Sequence, residues 1–445
     1  MSLVPFGFWA ASGAGAIRYF LSTLGGANSD FGNSVAFDSL NNIYALGFTN
    51  STGAGSNDFL ISKSSPSGKI LWQRSLGGNS GDDDGYSIAV NSSDEILVVG
   101  ETNPGVAGGD DFLIAKYSNS GVLQWQRSIG GSGIDDGRGV ALDSSDNVYA
   151  FGYTTSSPAN SLDFLIVKYN SSGAVQWQRI LGGAGFENIY SGTVDSSDNL
   201  YAVGRTTSVG AGSSDVLLAK YNSSGTLQWQ RTLGGSGVDS GQSIKSDSSD
   251  NVYIACRTNS TGSGNYDALL LKYNSSGTLQ WQRILGGADA EEGLGVVVDS
   301  LDNVYISGFT ESTGAGVDDL LIAKYNGSGT IQWQRSLGGS GNERGSSISI
   351  DSLDDLCVVG YTYTAGEGGV DLFFAKIPSD GSLTGTYELD GVDFVYSASS
   401  LTASTSSLTD ATSSLSGSST SFTSSTSTLI DSSSSLTSHF VKIPE

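Results

Sequence analysis

Short runs of apolar residues recur along most of the chain, and each run ends at Gly, Asn, Asp or Ser. In one stretch four such runs fall at Arg138–Asp143, Asn147–Tyr153, Asp163–Tyr169 and Ala174–Leu181. Runs of this length, rich in β-branched and aromatic residues, are typical of β-strands. The residues between them favour tight turns because they adopt left-handed backbone or bond their own amides. The pattern therefore predicts four short antiparallel strands in succession.

The tryptophans show that this four-strand pattern is repeated. Six of them follow one another at intervals of 52 or 53 residues, each within a Trp-Gln-Arg motif: Trp72, Trp125, Trp177, Trp229, Trp281 and Trp333. Phe20 lies 52 residues before the first and is followed by the same Leu-Gly-Gly. The chain thus contains seven units, from about Ile17 to Ile377.

Seven copies of a four-stranded unit predict an all-β, seven-bladed β-propeller over residues 17–380. Ile17–Leu24 precedes any complete unit, and Asp371–Ile377 has no Trp-Gln-Arg strand after it. Pairing these two segments would close the ring and remove its open edges. Ser382–Asp390 is the alternative closing strand, and residues 381–396 are predicted to be an extra strand or a linker.

The repeated frame resembles a known family. Asp-Phe-Leu-Ile-x-Lys-Tyr-Asn-Ser-Ser-Gly, then Trp, Gly-Gly, Asp-Ser-x-Asp-Asn-x-Tyr and Gly-x-Thr is similar to the seven-bladed propeller repeat of bacteria and phages. The resemblance covers about four fifths of the chain. It implies the propeller fold but no particular activity, because propellers host many unrelated functions.

Charge and composition limit the partners and the kinds of site that the chain is expected to have. The formal net charge is −24, which disfavours nucleic acid as a partner because phosphates are bound by Lys and Arg clusters. No apolar run is long enough to cross a bilayer, so membrane insertion is not expected. Cys256 and Cys357 occupy non-equivalent positions of different units, and His439 is the single histidine. A disulfide and a zinc site are therefore not expected.

Three charged positions recur in all seven units. One is an aspartate before the third strand: Asp58, Asp111, Asp163, Asp215, Asp267, Asp319 and Asp371. The second is a carboxylate ten residues after the Trp or Phe: Asp30, Asp82, Asp135, Glu187, Asp239, Glu291 and Glu343. The third is a lysine in the third strand: Lys63, Lys116, Lys168, Lys220, Lys272, Lys324 and Lys376.

Paired carboxylates suit calcium, and Asp111, Asp135, Asp163 and Glu187 are the candidate ligands. The favoured interpretation is that the acids bond loop amides and the lysines pair with nearby acids or carbonyls, since identical copies indicate blade construction. No cofactor is expected apart from this calcium alternative. The tryptophans are likewise predicted to be core residues between blades.

Variation between units points to a binding face. The turns Asp-Ser-x-Asp-Asn and Tyr-Asn-Ser-Ser-Gly are nearly invariant, whereas the loops on the opposite face differ. Loops on a rigid scaffold commonly carry binding, although these could simply have drifted. The candidate ligand-face residues are Phe186, Glu187, Asn188, Tyr190, Asn265, Tyr266, Glu291 and Glu292. No catalytic set is predicted, because the carboxylates look symmetric and neither cysteine has a histidine partner.

Both ends of the chain are predicted to dock. Residues 1–16 carry the aromatic anchor candidates Phe6, Phe8 and Trp9. Residues 397–445 are a Ser/Thr-rich tail with apolar residues every seven positions: Leu401, Leu408, Leu415, Phe422, Leu429 and Leu436. The tail is interpreted as a linker or an assembly segment, because one apolar residue in seven buries too little to order an isolated chain.

These features predict a non-enzymatic virion structural protein, a tail appendage or a capsid decoration. The leader resembles the short leaders of marine phage, especially cyanophage-like, appendage proteins. That resemblance implies a virion-surface location, with other virion proteins or copies of the chain as partners and a host-surface glycan or protein as ligand. A bacterial cell-surface or extracellular binding propeller is the alternative, and a propeller hydrolase or lyase is the third possibility.

Overall fold

The strand-forming runs of the sequence become seven separate antiparallel sheets. In this computed structural model the described residues are 18–53, 55–79, 81–103, 108–156, 161–419, 423–425, 430–434 and 436–444. All regular secondary structure in these ranges is β-strand. None of the described residues forms a helix able to span a bilayer.

The repeat region gives the strands of the seven blades. They are β1 (Tyr19–Gly25), β2 (Asp30–Phe37), β3 (Ile43–Thr49), β4 (Asp58–Ser64), β5 (Ile70–Gly77), β6 (Asp83–Val90), β7 (Ile96–Thr102), β8 (Asp111–Tyr117), β9 (Leu123–Gly130), β10 (Asp135–Leu142), β11 (Val148–Thr154), β12 (Asp163–Tyr169), β13 (Val175–Gly182), β14 (Glu187–Val194), β15 (Leu200–Thr206), β16 (Asp215–Tyr221), β17 (Leu227–Gly234), β18 (Asp239–Ser246), β19 (Val252–Thr258), β20 (Asp267–Tyr273), β21 (Leu279–Gly286), β22 (Glu291–Val298), β23 (Val304–Thr310), β24 (Asp319–Tyr325), β25 (Ile331–Gly338), β26 (Glu343–Ile350), β27 (Leu356–Thr362) and β28 (Asp371–Ile377). Blades 1 to 6 are successive groups of four strands starting at β2. Blade 7 is β26, β27, β28 and β1.

Blade 7 closes the ring with a strand from the N-terminal side of the repeats. β1 pairs with β28 in antiparallel register, from Phe20 opposite Lys376 to Leu24 opposite Leu372. This confirms the predicted closure. The alternative, Ser382–Asp390, is wrong as the closing strand, because that segment forms a hairpin on blade 6.

The core lies between adjacent blades. In one buried cluster Leu46 and Phe59 of blade 1 pack against Ile88 and Val98 of blade 2. Trp72 packs beside this cluster, and its indole N–H donates to the carbonyl of Asn119 in the next blade at 3.2 Å. The tryptophans lie between blades as predicted, although the rings are half-buried and not fully in the core.

The Ser/Thr-rich tail adds further strands to the same sheets. They are β29 (Gly385–Leu389), β30 (Val392–Ala398), β31 (Thr402–Thr405), β32 (Thr409–Thr412), β33 (Ser416–Ser419), β34 (Thr423–Ser425), β35 (Ile430–Ser433) and β36 (Thr437–Ile443). We call β30–β36 the belt. It adds one outer strand to blades 6, 5, 4, 3, 2, 1 and 7 in that order, so it runs round the ring against the order of the blades.

The heptad spacing of the tail matches this path. Each of β31, β32 and β33 is four residues long, and the three residues between successive strands cross to the next blade. The leucine of each crossing is buried against the ring, as shown by exposed fractions of 6–9% at Leu401, Leu408, Leu415 and Leu436. The expectation that the tail orders only against a partner is therefore wrong for these residues. Phe422 and Leu429 lie outside the described residues.

The Gln of the Trp-Gln-Arg motif holds the belt backbone. Gln282 Nε2 donates to the carbonyl of Leu408 at 3.0 Å. The equivalent bonds join Gln230 to Leu415 and Gln334 to Leu401. These contacts assign the described tail leucines to intramolecular packing, which corrects their prediction as docking residues for another protein. The leader residues Phe6, Phe8 and Trp9 lie outside the described residues.

Candidate binding site at the channel mouth

The face with invariant turns is held together by bonds between neighbouring blades. Ser144 Oγ donates to Asp198 Oδ2 at 2.8 Å, and Ser196 Oγ makes the same bond to Asp250. Asp198 has a φ of +59°, a conformation that Asp and Asn tolerate better than most residues. This turn sequence recurs because each copy bonds the next one. We call this side of the disc the uniform face.

The lysine ring is structural, as favoured from the sequence. Lys168 Nζ lies 2.9 Å from Asp143 Oδ2 and 2.7 Å from the hydroxyl of Tyr149. Six of the seven lysines pair with the aspartate that follows an inner strand, and Lys116 pairs with Glu95 just before β7: the carboxylates are Asp38, Glu95, Asp143, Asp195, Asp247, Asp299 and Asp351. Burial alone would raise the pKa of Asp143, but bonds from Asn147 and Lys168 outweigh it and hold that pKa below its usual value.

The second carboxylate ring closes the loop that begins each inner strand. The amide of Gly183 donates to Glu187 Oε2 and the Thr206 hydroxyl to Oε1, each at 2.7 Å. In blade 2 the equivalent residue is Asp83, which accepts from Gly78. The prediction of Asp82 for this position is wrong, because the loop after Gly78 carries one extra residue.

Two of the predicted ligand-face residues belong to this second carboxylate ring and do not lie at the surface. Glu187 and Glu291 are fully buried, and each accepts bonds from a loop amide and a threonine hydroxyl. The calcium candidates form two-carboxylate pairs. Asp111 and Asp135 both lie near one point, because a Cβ added at Gly130 would be 1.7 Å from Asp111 Oδ1 and 3.2 Å from Asp135 Oδ2. Among the described residues no three acidic, His or Cys side chains come together to hold a metal.

Burial and the neighbouring acid raise the pKa of several ring aspartates. Burial and then repulsion by Glu291 raise the pKa of Asp267 to about 7. Burial likewise raises the pKa of Asp371 to about 7, with repulsion by Asp30 adding to it. The unfolded value is near 3.9, so the folded protein binds more protons than the unfolded chain between about pH 4 and 7.

We expect the melting temperature to fall as the pH rises from 4.5 to 8. Stability from a raised pKa is complete below the unfolded value and is lost as the pH rises through the folded value. The double substitution Asp267→Asn and Asp371→Asn should flatten this dependence, measured by differential scanning calorimetry. The matched control is Asp82→Asn with Asp289→Asn, since both carboxylates are exposed. An unchanged slope in the first variant would show that these two groups do not titrate in the window.

The inner strands of the blades surround a central channel. Near the uniform face it contains a cavity of about 330 Å³, lined by β2, β6, β10, β14, β18 and β26. Most of its lining residues are apolar but the surface they expose to it is mainly polar, with Ala36, Ala89, Ala141 and Thr193 at equivalent positions and Lys245 at the fifth. Surrounding protein lowers the pKa of Lys245 by desolvation.

The opposite end of the channel, on the varied face, carries a different residue pair in every blade. Each pair joins the second residue of an inner strand to the residue before the last threonine of the next strand. The pairs are Phe31 with Phe48, Asp84 with Glu101, Asp136 with Tyr153, Asn188 with Arg205, Ser240 with Arg257, Glu292 with Phe309, and Arg344 with Tyr361. We call these residues the variable pairs and this end the channel mouth.

A β-bulge next to each pair brings a further side chain to the same end. The strand register shifts at this point in every inner strand, which leaves one residue without a cross-strand partner. The bulged residues are Asn33, Tyr86, Arg138, Tyr190, Gln242, Leu294 and Ser346. The same β-bulge therefore presents six different residue types from the seven blades, with Tyr in blades 2 and 4.

Blades 2 and 3 bring titratable side chains together at the mouth. We call Asp84, Tyr86, Glu101, Asp136, Arg138 and Tyr153 the mouth cluster. The Tyr86 hydroxyl donates to Glu101 Oε1 at 3.0 Å, and the Arg138 guanidinium lies 3.7 Å from the centre of the Tyr86 ring. Arg138 also donates to the Asp136 carboxylate and to the Tyr153 hydroxyl.

The mouth cluster shifts the pKa of two acids. Burial and then repulsion by Glu101 raise the pKa of Asp84 to about 6. Asp136 is fully buried, and burial raises its pKa although Arg138 opposes the shift. This cluster has no copy in the other blades. The sequence-based statement that the carboxylates are symmetric is therefore wrong here.

Aromatic side chains lie on the other side of the cluster, in blades 7 and 1. Phe31 stacks on Phe48 with ring centres 4.7 Å apart and meets the edge of Tyr361 at 5.0 Å. Tyr363 lies 6.0 Å from Tyr361 and is 53% exposed. The channel mouth thus combines a polar side with an adjoining aromatic side.

Several predicted ligand-face residues do meet at this end. Asn188 and Glu292 belong to the variable pairs, and Tyr190 is a bulged residue. Arg257 donates to Glu292 at 3.0 Å and lies over the Tyr266 ring. Phe186 and Asn265 are exposed loop residues.

Sequence reasoning missed the mouth cluster, although a signal was present. One member of each pair is the x of the repeated Gly-x-Thr, and the other directly follows the buried ring carboxylate. Both positions vary between units while their neighbours do not. Only the strand register shows that the two positions face each other.

The chain is similar to a propeller repeat family and to two curated proteins over parts of its length. The family model of the SBBP beta-propeller repeat matches residues 22–53 and 124–158, within two of the seven units. An uncharacterized WD repeat-containing protein of Acanthamoeba polyphaga mimivirus is 27% identical over 176 residues, or 31% of this chain and 13% of that protein. The regulatory protein FlaEY of Caulobacter vibrioides is 26% identical over 140 residues, or 27% of this chain and 15% of that protein.

Among solved structures the polysaccharide lyase Uly1 aligns with 79% of this chain and 90% of its own, at 8% identity and a TM-score of 0.47. The chain matches less than a sixth of the length of the two curated relatives. The family-model match and the two curated relatives support a propeller repeat protein.

Proposed function

We propose that the protein is a non-enzymatic binding propeller of a virion surface that contacts its ligand through the channel mouth. One observation carries the binding role. The ring is nearly the same from blade to blade, whereas the variable pairs differ in every blade and the bulged residues repeat only in Tyr86 and Tyr190. Seven different side-chain pairs on a rigid scaffold are typical of a specific recognition surface.

The belt also favours binding through a face of the disc. It covers the outer strand of each blade, so the backbone groups of those strands already have partners. An exposed edge is the usual way for a sheet to capture another chain by strand addition. In blades 1 to 5 the outermost strand is then a belt segment of three or four residues, which is a poor template for strand addition, and this favours the two ends of the disc as the surfaces for a partner.

The ligand role is tested by adsorption of the labelled full-length chain to intact bacterial cells. The double variant Arg205→Ala and Arg257→Ala should adsorb less, because both side chains lie at the channel mouth. The variant Lys69→Ala with Lys442→Ala removes the same charge from exposed positions away from the mouth and should adsorb normally. Equal adsorption of both variants would contradict a role for the mouth.

The virion location rests on the sequence of the leader and is tested separately. Mass spectrometry of purified virions should detect the chain, and removal of residues 1–16 should abolish its incorporation while the propeller still folds. Detection only in bacterial envelopes would favour the cell-surface alternative. Normal incorporation of the shortened chain would contradict the aromatic anchor.

A glycan hydrolase or lyase is the second candidate, and the mouth cluster is the observation that favours it. Two carboxyl groups with raised pKa values in one site are the arrangement used for general acid catalysis. Assay of glycan cleavage by the full-length chain distinguishes this candidate from simple binding.

A further inference from the structure

We propose that the channel mouth binds a sugar residue of a neutral glycan. This inference rests on the proposed function and names the ligand class of the same site. It begins from polar atoms that are buried at the mouth and have no hydrogen-bond partner within the protein. The acceptors are Asp84 Oδ1, Asp136 Oδ1 and Asn188 Oδ1, and the donors are Arg138 Nε, Arg205 Nε and Arg257 Nε.

Such atoms call for a ligand because buried polar groups are otherwise hydrogen-bonded in nearly every folded protein. Asp136 is fully buried and Asn188 is 7% exposed, so bulk water does not serve them freely. The Glu101 carboxyl also acts on Asp136 and raises its pKa. Two carboxyl groups this close need a shared proton or a donor placed between them.

The arrangement of these atoms selects the chemistry of the donor. Acceptors come from blades 2, 3 and 4, and donors come from blades 3, 4 and 5, so the two kinds overlap along the mouth. An anionic ligand would be repelled by the carboxylates of Asp84, Glu101 and Asp136. A cationic ligand would be repelled by the three arginines.

A hydroxyl group satisfies both kinds of partner without a net charge, because it donates one hydrogen bond and accepts two. A sugar carries several hydroxyls on one rigid ring. It can therefore donate to the carboxylates and accept from the guanidinium groups at once. The polar side of the mouth fits this pattern across neighbouring blades.

The aromatic side of the mouth supplies the second feature of a sugar site. Phe31, Phe48, Tyr361 and Tyr363 lie in blades 1 and 7, next to blade 2, which carries Asp84 and Glu101. The C–H face of a sugar ring packs against an aromatic face, while its hydroxyls point outward. A chain of sugars entering across blades 7 and 1 would place its terminal residue on the mouth cluster.

The test is binding of the full-length chain to an array of immobilised neutral, acidic and amino glycans. We expect binding to neutral glycans, weakened about tenfold or more by Arg205→Ala with Arg257→Ala, since a hydrogen bond from a charged donor has at least that effect on affinity. Tyr363→Ala should weaken it through the aromatic side. Lys69→Ala with Lys442→Ala is the control, and thermal unfolding verifies that each variant is folded.

The outcomes separate this inference from the function on which it rests. Binding only to acidic or amino glycans, or to none, overturns the neutral sugar. If mouth variants still lose adsorption to cells in that case, the binding propeller stands with another ligand. If they adsorb normally, both proposals fail. Release of shortened products from a bound neutral glycan supports the neutral sugar as ligand and overturns the non-enzymatic role.

Discussion

Replacing Leu401, Leu408 and Leu415 with alanine is expected to release the belt from blades 3 to 5 and to destabilise the whole ring. Each leucine is 6–8% exposed and packs between two blades. Truncating a buried leucine costs about 2 kcal/mol or more. The three sites lie in separate clusters, so their effects should add to about 6 kcal/mol.

Urea unfolding measures this loss, and size-exclusion chromatography should show self-association as well. Release of the belt leaves the backbone groups of β13, β17 and β21 unpaired, and such edges pair with other chains. The matched control is Leu40, Leu301 and Leu353 to alanine, because these leucines are 70%, 79% and 60% exposed in equivalent turns of the uniform face. A triple belt variant as stable as this control would show that the belt adds little to the fold.

The propeller could be predicted from the sequence because its signals are local and repeated. The period of Trp-Gln-Arg gives the number of blades, and the turn residues give the strand ends of blade 3 within one residue except at the start of β10, which lies three residues before the predicted Arg138. Closure by β1 followed from counting strands in the first and last units. Each of these inferences needs only the order of residues along the chain.

The path of the belt could not be predicted, although its heptad was visible. A leucine every seven residues does not say what the leucine packs against. The packing partner depends on the distance from one blade edge to the next, and that distance is set by the propeller and not by the sequence of the tail. The partner of the belt was present in the sequence as Gln282 and its equivalents, but their bonds to Leu408 and its equivalents appear only in three dimensions.

The channel mouth was predicted in part. Variation between units pointed to the face on which the channel mouth lies and to Asn188, Tyr190 and Glu292 within it. It also selected Glu187 and Glu291, since a carboxylate in a variable loop looks like a ligand until its burial is known. The mouth cluster was missed because Asp84 and Glu101 are seventeen positions apart and meet only through the register of β6 and β7.

The Gly-Gly motif leads to the second prediction of a large effect, since its two glycines have different steric reasons. A Cβ at Gly286 would lie 1.4 Å from Asp267 Oδ1, so the first glycine makes room for the ring aspartate. A Cβ at Gly287 would lie 2.3 Å from Ser312 Oγ and 3.0 Å from Leu401 Cδ2, so the second makes room for a loop serine and a belt leucine. The motif therefore serves the ring and the belt at once.

The substitution Gly286→Ala is expected to destabilise the protein by about 3 kcal/mol, because a buried carboxylate must move within a packed site. Gly369→Ala is the control, since the nearest atom to its added Cβ is Ser29 Oγ at 3.5 Å. Chemical denaturation of both variants measures the difference. Adding Asp267→Ala to Gly286→Ala should recover part of the lost stability, because the added Cβ then no longer meets the Asp267 carboxylate. A Gly286→Ala protein that unfolds at the same urea concentration as Gly369→Ala would mean that Asp267 can move at little cost, and the Gly-Gly motif would then need another explanation.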